Sequence, residues 1–347
     1  MANTVKIFLV GGGTGGHIFP LINLTQYLRA KNSAAEFHWI GEKNSLEEQL
    51  SVKNSIAFSP IVCGKLRRYF SFETCLLPFQ VLMGTIQSLG IILREKPKAI
   101  FSKGGYVSLP VAIAGYITGV PVYLHESDSV PGLANRIVAK FATGIFTSFV
   151  EVDTFFEEKK ILGHGHLFPP EIGEILAEKV SLQEKTKLLV SCGSQGSSRV
   201  FDALIPILPS ITDMDIHIVL GTKNLEYRKK IEGFPNVTMY DFFFDQKEYF
   251  RLIHASDIII TRSSSSIFEF EAFGLHMILV PLPESGNNHQ YHNARIFEKK
   301  GHECILQENL GAELTTVLDK YRTFKKTGGK KVVDMSIFDT IAQTLFQ

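Results

Sequence analysis

The run Gly11-Gly12-Gly13-Thr14-Gly15-Gly16-His17 follows an apolar stretch of strand length, Val5 to Val10, and opens an amphipathic segment that begins near Ile18. Glycine permits positive φ and close backbone approach, and a following helix aims N–H groups and its positive dipole end at an anion. The run is therefore a candidate phosphate-binding turn. Gly11-x-Gly13-x-x-Gly16 also fits the dinucleotide spacing, with an acid, Glu42, after the next strand, so a nicotinamide enzyme is a second reading. A tight turn without ligand is the third.

Two more sets of reactive side chains lie just after apolar strands in this half: Lys103-Gly104-Gly105-Tyr106 and His125-Glu126-Ser127-Asp128. In open α/β sheets ligands bind at that edge, so His17, Tyr106, His125, Glu126 and Asp128 can converge as acid-base groups beside phosphate-binding glycines. In the bland alternative, His125 and Glu126 only hydrogen-bond within loops.

The second half repeats the theme with Gly193-Ser194-Gln195-Gly196, then Arg262-Ser263-Ser264-Ser265-Ser266 ahead of a helix containing Glu269. Hydroxyls and N–H groups at a helix start suit phosphate, and Glu269 can accept from a ribose diol. Alternatively the serines are a helix cap and Glu269 a first-turn dipole partner. Asn287-Asn288-His289-Gln290-Tyr291-His292-Asn293 supplies neutral hydrogen-bonders suited to a sugar or base. His164-x-His166, His289-x-x-His292 and Asp213-x-Asp215 have spacings a metal could use, but none has a clustered third ligand, so no metal or cofactor is expected.

A different chemistry is suggested by Lys65, Arg67, Arg68, Phe70 and Phe72, which run on to Leu76-Leu77-Pro78-Phe79 and Val81-Leu82-Met83. Cations interleaved with rings can lie on an anionic bilayer, and ordinary core packing of the apolar residues is the alternative.

Positioning these groups requires alternating strands and helices. Strand-length runs fall at Val5 to Val10, Glu36 to Ile40, Ala57 to Val62, Ala99 to Ser102, Val120 to His125 and Gly144 to Ser148. A second series comprises Lys187 to Cys192, Asp215 to Leu220, Val237 to Tyr240, Asp257 to Thr261, His276 to Val280 and Glu303 to Gln307. Helix-period segments separate them, the pattern of α/β folds with parallel sheets. Each series opens with strand, Gly-rich turn and helix, so the chain reads as two Rossmann-like domains, 1–162 and 163–332, and a final helix within 333–347 that can pack back on the first.

Composition agrees with a soluble two-domain protein: 347 residues, 45% hydrophobic and 20% charged. Four scattered cysteines suggest neither a disulfide framework nor a zinc site. A net charge of +1 excludes a strongly basic nucleic-acid binder. Residues 1–160 are the basic part, with 16 Lys+Arg against 12 Asp+Glu, and so the part suited to an anionic surface. The start of the chain does not read as a secretory leader, and no uncharged apolar stretch reads as the ~18 residues a span requires. A cytoplasmic protein is expected, neither secreted nor membrane-spanning.

Together, Gly12-Gly13-Thr14-Gly15-Gly16-His17, Gly104-Gly105-Tyr106, His125-Glu126, Gly193-Ser194-Gln195-Gly196, Arg262-Ser263 with Glu269, and His289-Gln290-Tyr291-x-Asn293-Ala294 resemble the MurG family of bacterial peptidoglycan N-acetylglucosaminyltransferases. The resemblance spans nearly the whole chain. It implies a glycosyltransferase-B fold, two Rossmann-like domains with parallel sheets facing across a cleft. It implies transfer of N-acetylglucosamine from UDP-N-acetylglucosamine to lipid I, the undecaprenyl-diphosphate-linked muramoyl-pentapeptide, giving lipid II with inversion. It also implies a peripheral enzyme on the cytoplasmic face of an anionic membrane, with no nucleic-acid partner.

By position, the resemblance places Thr14, Gly15, Gly16, Ser194, Gln195, Phe243, Arg262, Ser265, Ser266, Ile267, Glu269, His289 and Gln290 at the donor. Within that set Phe243 meets uracil, Glu269 the ribose and Gln290 the sugar hydroxyls. Gly13, Thr14, His17, Gly104, Gly105, Tyr106, His125 and Asp128 face the acceptor. His17 is the first choice for catalytic base, ahead of Asp128 and Glu126, with diphosphate contact as its rival role. Three departures stand out: His125-Glu126-Ser127-Asp128 where the family has His-Glu-Gln-Asn, Gly163-His164-Gly165-His166-Leu167 where many have Gly-Asn-Pro-Val-Arg, and a serine run one residue short and lacking glycine after Arg262. A diacylglycerol glycosyltransferase, a nucleotide-sugar epimerase, a nicotinamide dehydrogenase and a non-catalytic sugar-nucleotide sensor are the competing readings.

Overall fold

A computed structural model describes residues 5–64, 72–180, 184–326 and 333–347. Thirteen strands form two parallel sheets. The first contains β1 (Val5–Gly11), β2 (Ala35–Glu42), β3 (Ala57–Ile61), β4 (Ala99–Gly104), β5 (Val122–Glu126), β6 (Gly144–Thr147) and β7 (Ile161–His164), in spatial order β3-β2-β1-β4-β5-β6-β7. The second contains β8 (Lys187–Ser191), β9 (Asp215–Val219), β10 (Val237–Tyr240), β11 (Ile258–Thr261), β12 (His276–Leu279) and β13 (Glu303–Cys304), in order β10-β9-β8-β11-β12-β13. Central strands such as β4, β8, β11 and β12 are buried along their whole length, because helices cover both faces. That is why they read as unbroken apolar runs rather than alternating ones.

In each sheet the chain winds outward from its first strand, then returns to that strand's other side. Strand order therefore reverses between β1 and β4, and again between β8 and β11. A crevice opens at the carboxyl ends of the strands at such a reversal, where helices leave in opposite directions. The two glycine turns follow β1 and β8, so each stands at its sheet's switch point.

The chain divides into one unit of 1–170 with 334–347 and a second of 171–333. The change falls after Pro170 rather than at the expected 162/163 join, because Ile161–His164 adds a strand to the first sheet through pairing with β6. In the last helix, Ser336–Phe346, the buried residues Ile337, Phe338, Ile341, Ala342 and Leu345 line one stripe, and they join Leu9, Leu21 and Leu24 in the first unit's core. Lys31 and Tyr27 both hold Asp339, at 2.9 and 2.8 Å. The first helix begins at Gly15, one turn before the expected Ile18, because glycines carry no hydropathy signal that marks a helix face.

One expectation about membranes is corrected. Leu76–Glu95, within the Phe72–Glu95 helix, is long and apolar enough to cross a membrane by length and composition. Gln80, Thr85, Gln87 and Ser88 break the run when read singly without lowering its mean hydropathy below that of a span. One face of this helix, with Thr85, Ser88 and Ile92, is buried, and the helix packs against Ser108–Thr118.

Candidate functional site

In the first unit, the backbone of the glycine turn is held before any ligand arrives. Trp39 Nε1 donates to Gly11 O at 3.1 Å, and Thr14 O accepts from His17 N. Thr14 makes no cap of its own, and Gly13, Thr14 and Gly16 are exposed. His17 Nδ1 lies 3.0 Å from Gly12 O. A carbonyl can only accept, so Nδ1 carries the proton and Nε2 the lone pair of a base.

The second turn of this site, Gly104-Gly105, has φ of +94° and +86°. A side chain at Gly105 would strike Gly12 O at 2.9 Å and reach His17 Nδ1 at 3.2 Å, so only glycine brings the two turns together. Tyr106 packs on Gly13 and donates from its phenol to Glu42, which with burial pushes the phenol up. Glu42 is thus spent on a tyrosine, which argues against its serving as a dinucleotide ribose acid.

His125 and Glu126 are buried at the end of β5. His125 Nε2 donates to Gly165 O at 3.0 Å, and Nδ1 accepts from the buried Lys103 ammonium at 2.9 Å, so both nitrogens are engaged. Burial holds the imidazole well below its usual pKa, hence neutral. Glu126 Oε1 accepts from the Ser127 and Asp128 N–H groups and Oε2 from Asn135 Nδ2 at 2.8 Å. Burial, then the charge of Asp128, pushes its carboxyl up to about 7. These placements correct two sequence expectations: His125 is not exposed to an acceptor, and Glu126 is a positioning residue rather than a reachable base. Asp128, half-buried, keeps its candidacy.

In the second unit, Gly193, Ser194 and Gln195 are exposed, with positive φ at Gly193 and Gly196. Asn224 Nδ2 donates to Gln195 O at 2.6 Å and Thr222 N to Ser194 O at 3.0 Å, which fixes the turn. Arg262 is not left for a ligand. Its Nη2 donates to Ser197 Oγ and to Gln307 Oε1, both at 2.8 Å, and Nη1 donates to Val280 O at 3.0 Å. Against the expectation of donor contact, it braces the ends of β8, β11 and β12.

Ser265 and Ser266 are half-buried before the Ile267–Ala272 helix, whereas the Ile267 side chain is fully buried and can offer only its backbone. Glu269 raises the phenol of Tyr249 through its charge, after burial itself, which puts the carboxylate near the aromatic group Tyr240, Phe243 and Tyr249. Phe243 lies 4.9 Å from Tyr240 and 5.5 Å from Tyr249, ring to ring. Gln290 Oε1 accepts from Leu282 N at 3.0 Å, leaving its amide hydrogens as donors. His289 Nδ1 donates to Gly286 O at 2.7 Å. The paired residues with metal-like spacing have other partners: His164 binds Asp153, Asp213 binds Arg322, and Asp215 contacts Lys187 and His217. Among the described residues no three metal-ligating side chains cluster.

Residues 7–147 match the model described as the glycosyltransferase family 28 N-terminal domain, and residues 187–343 the family 28 C-terminal domain. The chain belongs to glycosyltransferase family 28. It is 34% identical over 345 residues to the UDP-N-acetylglucosamine–N-acetylmuramyl-(pentapeptide) pyrophosphoryl-undecaprenol N-acetylglucosamine transferase of Streptococcus thermophilus, covering 95% of this chain and 94% of the relative. A Bacillus cereus transferase of the same description, numbered 2, is 33% identical, covering 94% of this chain and 97% of the relative. Acinetobacter baumannii MurG shares the fold, with a TM-score of 0.75 at 20% identity and 99% of both chains covered. Within family 28 the chain is of the MurG type, with a glycosyltransferase-B architecture.

Against that family 28 background the departures gain a structural meaning. Leu167, where many relatives carry arginine, is fully buried in the first unit's core, and Asn23 Nδ2 donates to its carbonyl. No cation is offered from that position. Sequence reasoning missed Lys103, Asn135, Ser197 and Asn224, whose roles depend on partners 22 to 65 residues away. No local spacing announces them. The membrane candidates Lys65, Arg67, Arg68 and Phe70 lie outside the described residues, as does the side chain of Phe72.

Proposed function

We propose that this family 28 chain moves N-acetylglucosamine from UDP-N-acetylglucosamine to lipid I, forming lipid II with inversion at the anomeric carbon. The observation that carries this reading is a pair of glycine-rich anion turns, one at the switch point of each sheet. Donor and acceptor each bear a diphosphate, so each needs such a turn. An epimerase acting on one nucleotide sugar, or a nicotinamide dehydrogenase, leaves one without a role. A transferase acting on diacylglycerol likewise has no acceptor diphosphate.

In the second unit the N–H groups and hydroxyls of Ser194, Gln195, Ser265 and Ser266 receive the UDP phosphates. Glu269 accepts from the ribose, Phe243 lies on the uracil, and Gln290, with His289 beside it, donates to the sugar. In the first unit Gly13, Thr14, Gly104, Gly105 and Tyr106 frame the acceptor diphosphate. The acceptor hydroxyl oxygen bonds to the anomeric carbon as that carbon's bond to the UDP oxygen breaks and the electron pair leaves on UDP. His17 Nε2 takes the hydroxyl proton, with Asp128 as the alternative base. The departing charge falls on N–H donors that need no reorganisation.

The site of action is the cytoplasmic membrane surface. Leu76, Phe79, Leu82, Ile86 and Leu93 are exposed on one face of the Phe72–Glu95 helix, and Tyr116 and Ile117 are exposed on the helix packed against it. Apolar groups of this size, preceded in sequence by Lys65, Arg67, Arg68 and Phe70, suit insertion among acyl chains below anionic head groups.

The test is transfer of radiolabel from UDP-N-acetylglucosamine to purified lipid I in detergent. Label in the lipid fraction supports the reading. No lipid label, with release of an epimerised sugar or consumption of NADH instead, overturns it. Calorimetry with UDP, UDP-N-acetylglucosamine, UDP-glucose and NADH checks the ligand class without the lipid.

A further inference from the structure

Lys103 ends the buried strand β4 and is itself about 1% exposed. Its closest polar partner is a neutral imidazole, His125 Nδ1, and it forms no ion pair among the described residues. A buried ammonium facing a neutral ring is an expensive arrangement unless charge nearby repays it. That charge comes from Glu126 and Asp128, both of which attract the Lys103 cation.

We propose that Lys103 is a positioning residue for the transfer reaction, keeping Glu126 a carboxylate so that Asn135 and the Gly104-Gly105 turn hold the glycines and His17 in register. The path is traceable bond by bond. As a carboxylate, Glu126 accepts from three N–H donors, one of them Asn135 Nδ2. That bond orients the Asn135 amide so that its Oδ1 accepts from Gly105 N at 3.3 Å. Gly105 in turn stands against Gly12 O and the His17 ring. A protonated Glu126 would aim a hydroxyl hydrogen into a site made only of donors. The Asn135 amide would have to rotate, and Gly105 would lose its acceptor.

Charged and titratable neighbours set this balance from several elements: Lys103 on β4, His125 on β5, Asp128 just after it, and His166 beyond β7, which acts on His125. Lys103 lies low, near 8, through burial, so it is a cation at neutral pH. Its charge opposes the burial and the Asp128 repulsion that push Glu126 toward protonation.

This inference rests on the transferase reading, and its test separates the two. In Lys103→Met, kcat at pH 7.5 should fall about 10- to 100-fold, the scale of a displaced reacting group, with KM for UDP-N-acetylglucosamine within about twofold. Raising the pH to 9 should recover part of that loss by ionising Glu126, whereas the wild type gains nothing. Lys103→Arg should retain more activity than Lys103→Met. In a Glu126→Gln background, Lys103→Met should add little, because the group it acts through has gone. Folded Lys103→Met with wild-type kcat, or a deficit equal at every pH and undiminished in the Glu126→Gln background, overturns the proposal.

If Lys103→Met does not fold, infrared titration of the wild type identifies the Glu126 carboxyl band by its absence in Glu126→Gln. A midpoint matching the acid limb of kcat supports the proposal, and a mismatch overturns it. Absence of transfer by the wild type defeats the transferase reading itself, whereas the same titration in Lys103→Arg still reports whether residue 103 sets the Glu126 midpoint.

Discussion

Arg262 Nη2 donates to Ser197 Oγ at 2.8 Å, joining the residue that follows β11 to the residue that closes the turn after β8. With further bonds to Val280 O and Gln307 Oε1, one planar guanidinium spans three segments around the donor turns. Lysine keeps the charge but not the fork. Arg262→Lys is therefore predicted to weaken UDP binding about 10-fold, about 1.4 kcal/mol, without touching UDP itself. Calorimetry reads the affinity, and an unchanged value would show that the turns hold their shape alone.

Glu269 makes the opposite kind of contribution, a direct one. Glu269→Ala should lower UDP affinity by about 1.5 to 3 kcal/mol, the range for losing hydrogen bonds to a charged group. Unaltered UDP binding by a folded variant would remove the ribose assignment.

His17→Ala should reduce kcat by about 10²- to 10⁴-fold while KM for the nucleotide sugar stays close to the wild type. The tautomer fixed by Gly12 O motivates this expectation. Steady-state rates at saturating lipid acceptor check it. Loss below tenfold would hand the base to Asp128 and leave His17 with diphosphate contact.

Glu126 predicts a pH effect on stability. Its folded carboxyl titrates near 7, above the usual 4.5, because it is buried beside Asp128. The folded state therefore keeps a proton that the unfolded chain releases, so stability falls as pH rises from about 4.5 to 7 and the loss is complete above that window. The shift corresponds to about 3 kcal/mol. Urea unfolding of the first domain at pH 5 and 7.5 should show the wild type losing about that much more than Glu126→Gln. Equal losses would mean Glu126 is ionised across the whole range.

Much of this molecule is legible from the sequence because parallel strands buried on both faces produce contiguous apolar runs, and Gly-rich turns mark where those runs meet ligands. All twelve runs read as strands are strands, within a few residues at their ends. The seventh strand, Ile161–His164, escapes because a short edge strand with alternating partial exposure and a glycine reads as a turn until β6 is there to pair with it. Site residues divide along the same line. Glu42, Arg262 and His125 look like ligand groups locally, and only partners far along the chain show that each is already engaged. Lys103 fails to stand out for the converse reason, since a lysine beside two glycines gives no sign that it is buried.

The membrane prediction follows from the helix rather than from the cations alone. Leu82 and Ile86 are each more than half exposed on the Phe72–Glu95 helix, while Ser88 and Ile92 on its other side are buried. Leu82→Ser with Ile86→Ser should therefore leave the fold intact and weaken sedimentation with anionic liposomes even at high salt, because burial of apolar surface is not screened. Replacing Lys65, Arg67 and Arg68 with serine should act differently. Each cation near an anionic leaflet contributes about 1 kcal/mol, so binding should drop at low salt and converge with the wild type as salt rises. Phe70→Ser with Phe72→Ser should behave like the helix pair if those rings insert. UDP affinity should be unchanged in all three, since the donor residues lie in 171–333. If the helix pair binds liposomes as the wild type does at every salt concentration, the exposed face is not the contact and the bilayer meets the protein elsewhere.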